Sequence, residues 1–179
     1  QKQRNRLWIL LSSSRTNMEN DSVRIGFVRK KARQIIKDSK TTSPPVILRK
    51  IIDFLGKEFD IEIIKADFCG EYDGITVTIG DSHALGFDEN SPINRKRFSI
   101  AHELGHIVLG HTNGKNDDYD FDSKDFREHE ANEFAAELLV PYDFLKKDVN
   151  SGLTVKDLSC KYYVSEQMLW NRIRECKLL

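Results

Sequence analysis

Apolar side chains at Leu48, Ile51, Ile52, Leu55 and Phe59 recur at i, i+3, i+4, i+7 and i+11, the spacing that lines one face of an α-helix. A helix over about 23–37 precedes it, with Phe27 or Val28, Ala32, Ile35 and Ile36 able to share a side, and Ser43-Pro44-Pro45 separates the two. From Ile61 to Phe87 the period falls to two. Ile61-Glu62-Ile63-Ile64, Ile75-Thr76-Val77-Thr78-Ile79 and His83 to Phe87 are divided by Gly70, Asp73-Gly74 and Gly80-Asp81-Ser82, which predicts a small antiparallel sheet. Helical spacing returns after Pro92, with Phe98, Ala101, Leu104 or Gly105, and Val108 on one side and a stop at Gly110. Thr112 to Asp125 reads as a polar, solvated loop. It leads to a helix carrying Ala131, Phe134, Ala135, Leu138 and Leu139 that Pro141 closes, and two short helices near 154–162 and 165–176 end the chain. The order of elements predicts an α+β fold.

Residues 1–22 show no sustained period and read as a basic leader or arm, residues 23–145 as the main domain, and 146–179 as a helical C-terminal segment. The apolar run Leu7 to Leu11 is too short for a bilayer span or a secretory signal, so no membrane association is expected. Starting at Gln1 rather than methionine, the sequence reads as a fragment or a processed product. Cys69, Cys160 and Cys176 form no CxxC and cannot all pair, which suits a reducing cytoplasm.

The 28 basic and 28 acidic residues cancel, so net charge supplies no general attraction to nucleic acid or anionic lipid. Their distribution is uneven: residues 1–40 hold 11 basic and 3 acidic side chains, while 115–130 hold 3 and 7. Both blocks read as solvated faces, although the basic helix over 23–37 also offers a contact surface.

Candidate chemistry lies in His102-Glu103-Leu104-Gly105-His106, an HExxH. Histidines four apart share one face of a helix, so both imidazoles can reach a single tetrahedral ion, with Glu103 in the next sector free to take a proton from an attacking water. Zn2+ suits such donors because it accepts nitrogen and carboxylate oxygen and leaves a position open when only three protein ligands are present. Two histidines satisfied inside a core helix would show the same spacing, but the downstream helix offers the missing acid.

That helix reads Glu128-His129-Glu130-Ala131-Asn132-Glu133-Phe134-Ala135-Ala136-Glu137-Leu138-Leu139-Val140-Pro141. Together with Arg97-Phe98-Ser99-Ile100-Ala101 ahead of the HExxH, it resembles the ImmA/IrrE family of zinc metallopeptidases. The resemblance covers about Tyr72 to Pro141 as motif. It implies a helical, zincin-like metallopeptidase domain with a small sheet, in which Glu128 joins His102 and His106 on zinc and Glu103 is the catalytic base. Asn132, four residues beyond Glu128, could orient a ligand histidine. Glu130 projects about 200° around the helix from Glu128 and so cannot bind the same ion without distorting the helix, while His129, offset by about 100°, is a poor alternative to Glu128. Glu133 reads as solvent-facing, and His111 as a residue of the cleft rim or a cap on carbonyls. The donor that would steady an oxyanion is not singled out among Tyr142, Tyr162, Tyr163, His111 and Arg97.

Asp118, Asp120 and Asp122 alternate like an EF-hand loop, but Ser123 and His129 occupy the positions that need glycine and glutamate. The last two helices resemble a helix-turn-helix presenting Gln167, Asn171, Arg172 and Arg174. Five basic against three acidic residues over 151–179 is a weak footprint for DNA, which favours packing or partner recognition. The family resemblance implies a cytoplasmic endopeptidase that cleaves a helix-turn-helix transcriptional repressor and so induces genes. The alternatives are a protein that binds a repressor or toxin without cutting it, its zinc structural, and a DNA-binding regulator acting through the C-terminal helices. Oligomeric state is not encoded in any pattern above.

Overall fold

A computed structural model describes residues 23–111 and 121–178, with backbone alone for 121–125. In order along them run α1 (Ile25–Asp38), α2 (Leu48–Leu55), β1 (Asp60–Ala66), β2 (Gly74–Ile79), β3 (Ser82–Asp88), α3 (Ile93–Leu109), α4 (Phe121–Leu139), α5 (Tyr142–Val149), α6 (Val155–Tyr162) and α7 (Glu166–Glu175). The protein is α+β, as its pattern predicts. The basic leader and the aspartates 118 and 120 lie outside the described residues.

Three elements differ from expectation. The sheet is mixed, in the order β1-β3-β2: β3 pairs with β2 antiparallel, through Gly74 opposite Phe87, but with β1 parallel, through Asp60 opposite Ser82. β3 therefore occupies the centre and is buried at His83, Leu85 and Asp88, whereas β2 is an edge. Alternation within a strand records which face is covered and says nothing of which strand lies beside it. The predicted loop is also shorter, since α4 already begins at Phe121, and Pro141 both ends α4 and starts the unpredicted helix α5. Proline is tolerated at a helix start because the missing N–H would have no partner there.

α4 is the hub. Its Ala131, Phe134, Ala135, Leu138 and Leu139 are inaccessible to solvent, and so are Glu130 and Glu137 among them. A carboxylate is retained in such surroundings only when paired, and α1 supplies the partners. Arg24 bonds Glu130, Arg29 bonds Glu133 and Arg33 bonds Glu137, at 2.8 Å in each pair. Glu133, expected in solvent, is buried in this ladder, and Arg29 and Arg33 of α1 are engaged by α4 while Lys30 and Lys37 remain exposed.

On its other side α4 crosses α3 at Gly105. A Cβ there would lie 3.2 Å from the Ala131 Cα and 3.3 Å from its carbonyl oxygen, with the Phe134 ring also at 3.2 Å. Only the missing side chain lets the two backbones approach this closely. Gly105→Val is expected to force them apart at a cost of about 1–3 kcal/mol, read as a lowered midpoint in urea. An unchanged midpoint would mean that the crossing has slack.

The C-terminal helices pack on the same core through Leu158, Tyr162, Leu169 and Ile173. Thr154 and Asp157 form a reciprocal capping box at the start of α6, as their spacing suggests. Arg172 is 1% exposed and bonded to Glu137 and to the Val140 carbonyl, so it is not a side chain on offer to a DNA groove.

Candidate metal centre

α3 is long enough to carry His102 and His106 on successive turns facing α4, and the close crossing at Gly105 brings Glu128 above them. The two Nε2 atoms stand 3.0 Å apart, with Glu128 Oε2 at 3.2 Å from His102 Nε2 and Oε1 at 3.5 Å from His106 Nε2. In a tetrahedron around zinc, with bonds of roughly 2.0–2.1 Å to nitrogen, neighbouring donors lie about 3.3 Å apart. Two imidazoles and one carboxylate at these separations could therefore hold one divalent ion and leave a fourth corner open. Among the described residues this is the one group of three or more metal-ligating side chains gathered closely enough to do so.

Charge and burial pull these groups in different directions. Burial, reinforced by His102, holds His106 down to about 4. Burial also lowers His102, but the Glu128 hydrogen bond and the charges of Glu103 and Glu128 outweigh it, so His102 is raised from its ordinary value. Glu103 is buried, and that burial raises its carboxyl above the usual range against the opposing pull of Thr76 and His102.

Glu103 is held from the sheet side. Thr76 on edge strand β2 donates its hydroxyl to Glu103 Oε2 at 2.6 Å. At the start of the same strand, a Cβ on Gly74 would come within 3.2 Å of Glu103 Cγ and 3.3 Å of Ser99 Cβ. The absent side chain is what permits the strand to lie against this acid. Neither contact was visible from sequence, where Thr76 and Gly74 read as strand and turn residues.

Asn132 reaches His102, its Oδ1 accepting from His102 Nδ1 at 2.9 Å. Glu130 points away from the three donors, toward Arg24 and His111. His129 is half exposed and lies near Glu133, outside the donor group. His111 touches the site: its ring centroid is 5.2 Å from that of His106. The other residues considered for oxyanion binding are engaged elsewhere. Tyr162 donates to Asp148, Arg97 donates to the carbonyls of Val46 and Tyr163, Tyr163 lies by Arg97, and Tyr142 lies under Arg33.

Beside Asn132 a groove of about 780 Å³ opens between α3, α4 and α7, with Ser99, Phe98, Met168 and Asn171 on its walls. Its lining mixes polar and apolar side chains and lies beside the three donors without including them. Among the described residues no helix is long and apolar enough to cross a membrane.

Comparison with known proteins bears on the family and the fold. The profile of the IrrE N-terminal-like domain, a peptidase family, matches residues 57–174. A solved structure of a Mycobacterium tuberculosis transcriptional regulator shares the fold, with a TM-score of 0.64 at 15% identity, over 83% of this chain and 46% of that one. The chain thus spans less than half the length of that regulator. A search of curated proteins finds no match.

Proposed function

We propose a function from one premise: the chain belongs to the IrrE N-terminal-like domain family, whose members are zincin-like metallopeptidases related to IrrE and ImmA. It acts as a zinc-dependent endopeptidase in the cytoplasm, and its substrate is a transcriptional repressor of the helix-turn-helix class. The observation that carries this reading is the convergence of His102, His106 and Glu128 to within 3.0–3.5 Å of one another, beside a buried carboxyl on the same helix.

Zinc, when bound by His102, His106 and Glu128, would supply Lewis acidity to the reaction. The chain's own groups do the rest. Glu103, raised by burial and oriented by Thr76, takes the proton from the attacking water and passes it to the leaving amine. The groove beside Asn132 receives the substrate's backbone next to the scissile bond. In this reading residues 23–145 are the peptidase and 146–179 close one wall of its groove.

Removing a ligand tests the site directly. His102→Ala and Glu128→Ala are each expected to lose zinc in elemental analysis of protein refilled with the metal, and to lose cleavage with it. Stoichiometric zinc in both variants would show that the ion is held elsewhere. For the substrate, incubation with a helix-turn-helix repressor from the same genome should yield two discrete fragments that disappear when a chelator is present. Binding without fragments would favour the non-cleaving regulator.

A further inference from the structure

We propose that His111 is a positioning residue for the metal centre: it fixes the tautomer of His106, and Glu130 with Arg24 holds His111 in that role. This rests on the reading of His106 as a zinc ligand.

The backbone brings His111 back. Gly110 takes a left-handed conformation at the end of α3, with φ 76°, and the His111 N–H then bonds the His106 carbonyl at 2.9 Å. A residue with a Cβ is strained in that conformation, which is why glycine ends the helix. The turn stacks the two rings edge to face, with Nδ1 of His111 3.2 Å from Nδ1 of His106.

Two ring nitrogens at that distance need one proton between them, and the far side of His111 decides whose it is. His111 Nε2 lies 3.1 Å from Glu130 Oε2. Glu130 is inaccessible to solvent and takes three hydrogen bonds from Arg24: the backbone N–H at 2.9 Å, and Nε and Nη2 at 2.8 Å each. Both oxygens of this buried carboxyl already accept N–H groups of a guanidinium that is always charged, so Glu130 serves as an accept-only group. His111 must then carry its proton on Nε2. Its neutral ring has a lone pair on Nδ1, which accepts from His106 Nδ1–H. The remaining lone pair of His106 is on Nε2, the atom that faces His102 and Glu128.

Asn132 does the same for His102 through an amide oxygen that can only accept. Each ligand histidine thus has its own partner, and the one for His106, His111, is linked through Glu130 to Arg24. That residue lies at the start of α1, outside the segment shared with the family profile.

The tautomer can be read in the metal-free protein by 15N NMR of the histidine side chains at neutral pH. His106 is expected as the Nδ1–H form. A predominant Nε2–H form in the wild-type chain would overturn the proposal, with no variant needed. Zinc affinity, measured by competition with a chromophoric chelator, supplies the second reading. His111→Ala is expected to bind about 10- to 100-fold more weakly. His111→Asn, whose Oδ1 occupies the place of Nδ1, should recover most of that loss, and Glu130→Gln should weaken binding in the same direction as His111→Ala. Wild-type affinity in His111→Ala would sink the positioning role while leaving the zinc site standing. Failure of the wild-type chain to bind zinc would instead sink the metal reading itself.

Discussion

Glu103→Gln should retain zinc and lose peptide hydrolysis by a factor of about 10²–10⁴, the range expected when a positioned general base is removed. The two halves of that result have separate origins. Zinc stays because Glu103 is not among the three converging donors, and because glutamine keeps an oxygen with which to accept the Thr76 hydroxyl. Hydrolysis fails because an amide cannot accept the proton of the attacking water at neutral pH. Elemental analysis and fragment formation from the repressor, run on one preparation, check both. Turnover within a few-fold of wild type would remove Glu103 from the mechanism, and loss of zinc would mean that its charge is needed to hold the ion.

Glu137→Ala is expected to be the most destabilising single change, at about 3–5 kcal/mol, because it leaves a buried guanidinium without its counter-charge. Glu137 is inaccessible and collects the Arg33 fork at 2.8 and 3.3 Å, the N–H of Tyr142 at 3.1 Å and Arg172 of α7. One carboxylate thus joins α1, the start of α5 and α7 to α4. The loss would appear as a fall in the urea midpoint. Pairing Glu137→Leu with Arg172→Met removes both charges and should recover much of the stability. Additive losses in that double variant would show that the two side chains contribute independently.

The contrast between these two glutamates explains what the sequence could reveal. HExxH is a local pattern: once the segment is helical, 3.6 residues per turn place His102 beside His106 whatever the rest of the chain does. Glu128 was reachable through its family motif, and it lies within 3.5 Å of both histidines. Glu130, Glu133 and Glu137 gave the opposite signal. Acids spaced along a helix ordinarily mark a wet face, and here they are covered because three arginines about a hundred residues earlier lie across them. Arg29 and Arg33 repeat the i, i+4 interval of Glu133 and Glu137, a match that means something only after the two helices are known to touch. His111 was hidden for a similar reason, since a residue past a helix stop has no direction until the φ of Gly110 is known. The parallel pairing of β1 with β3 was beyond reach, because it depends on the path of residues 67–73 and not on any alternation.

The arginine ladder also bears on how this protein can be cut down for further work. A fragment trimmed to residues 57–174 would keep the histidines and Glu128 yet discard Arg24, Arg29 and Arg33, leaving Glu130 and Glu133 without their arginines and Glu137 with Arg172 alone, on a newly bared face of α4. Such a truncation would repel itself, draw in stray cations, and misreport how tightly the native molecule grips its own.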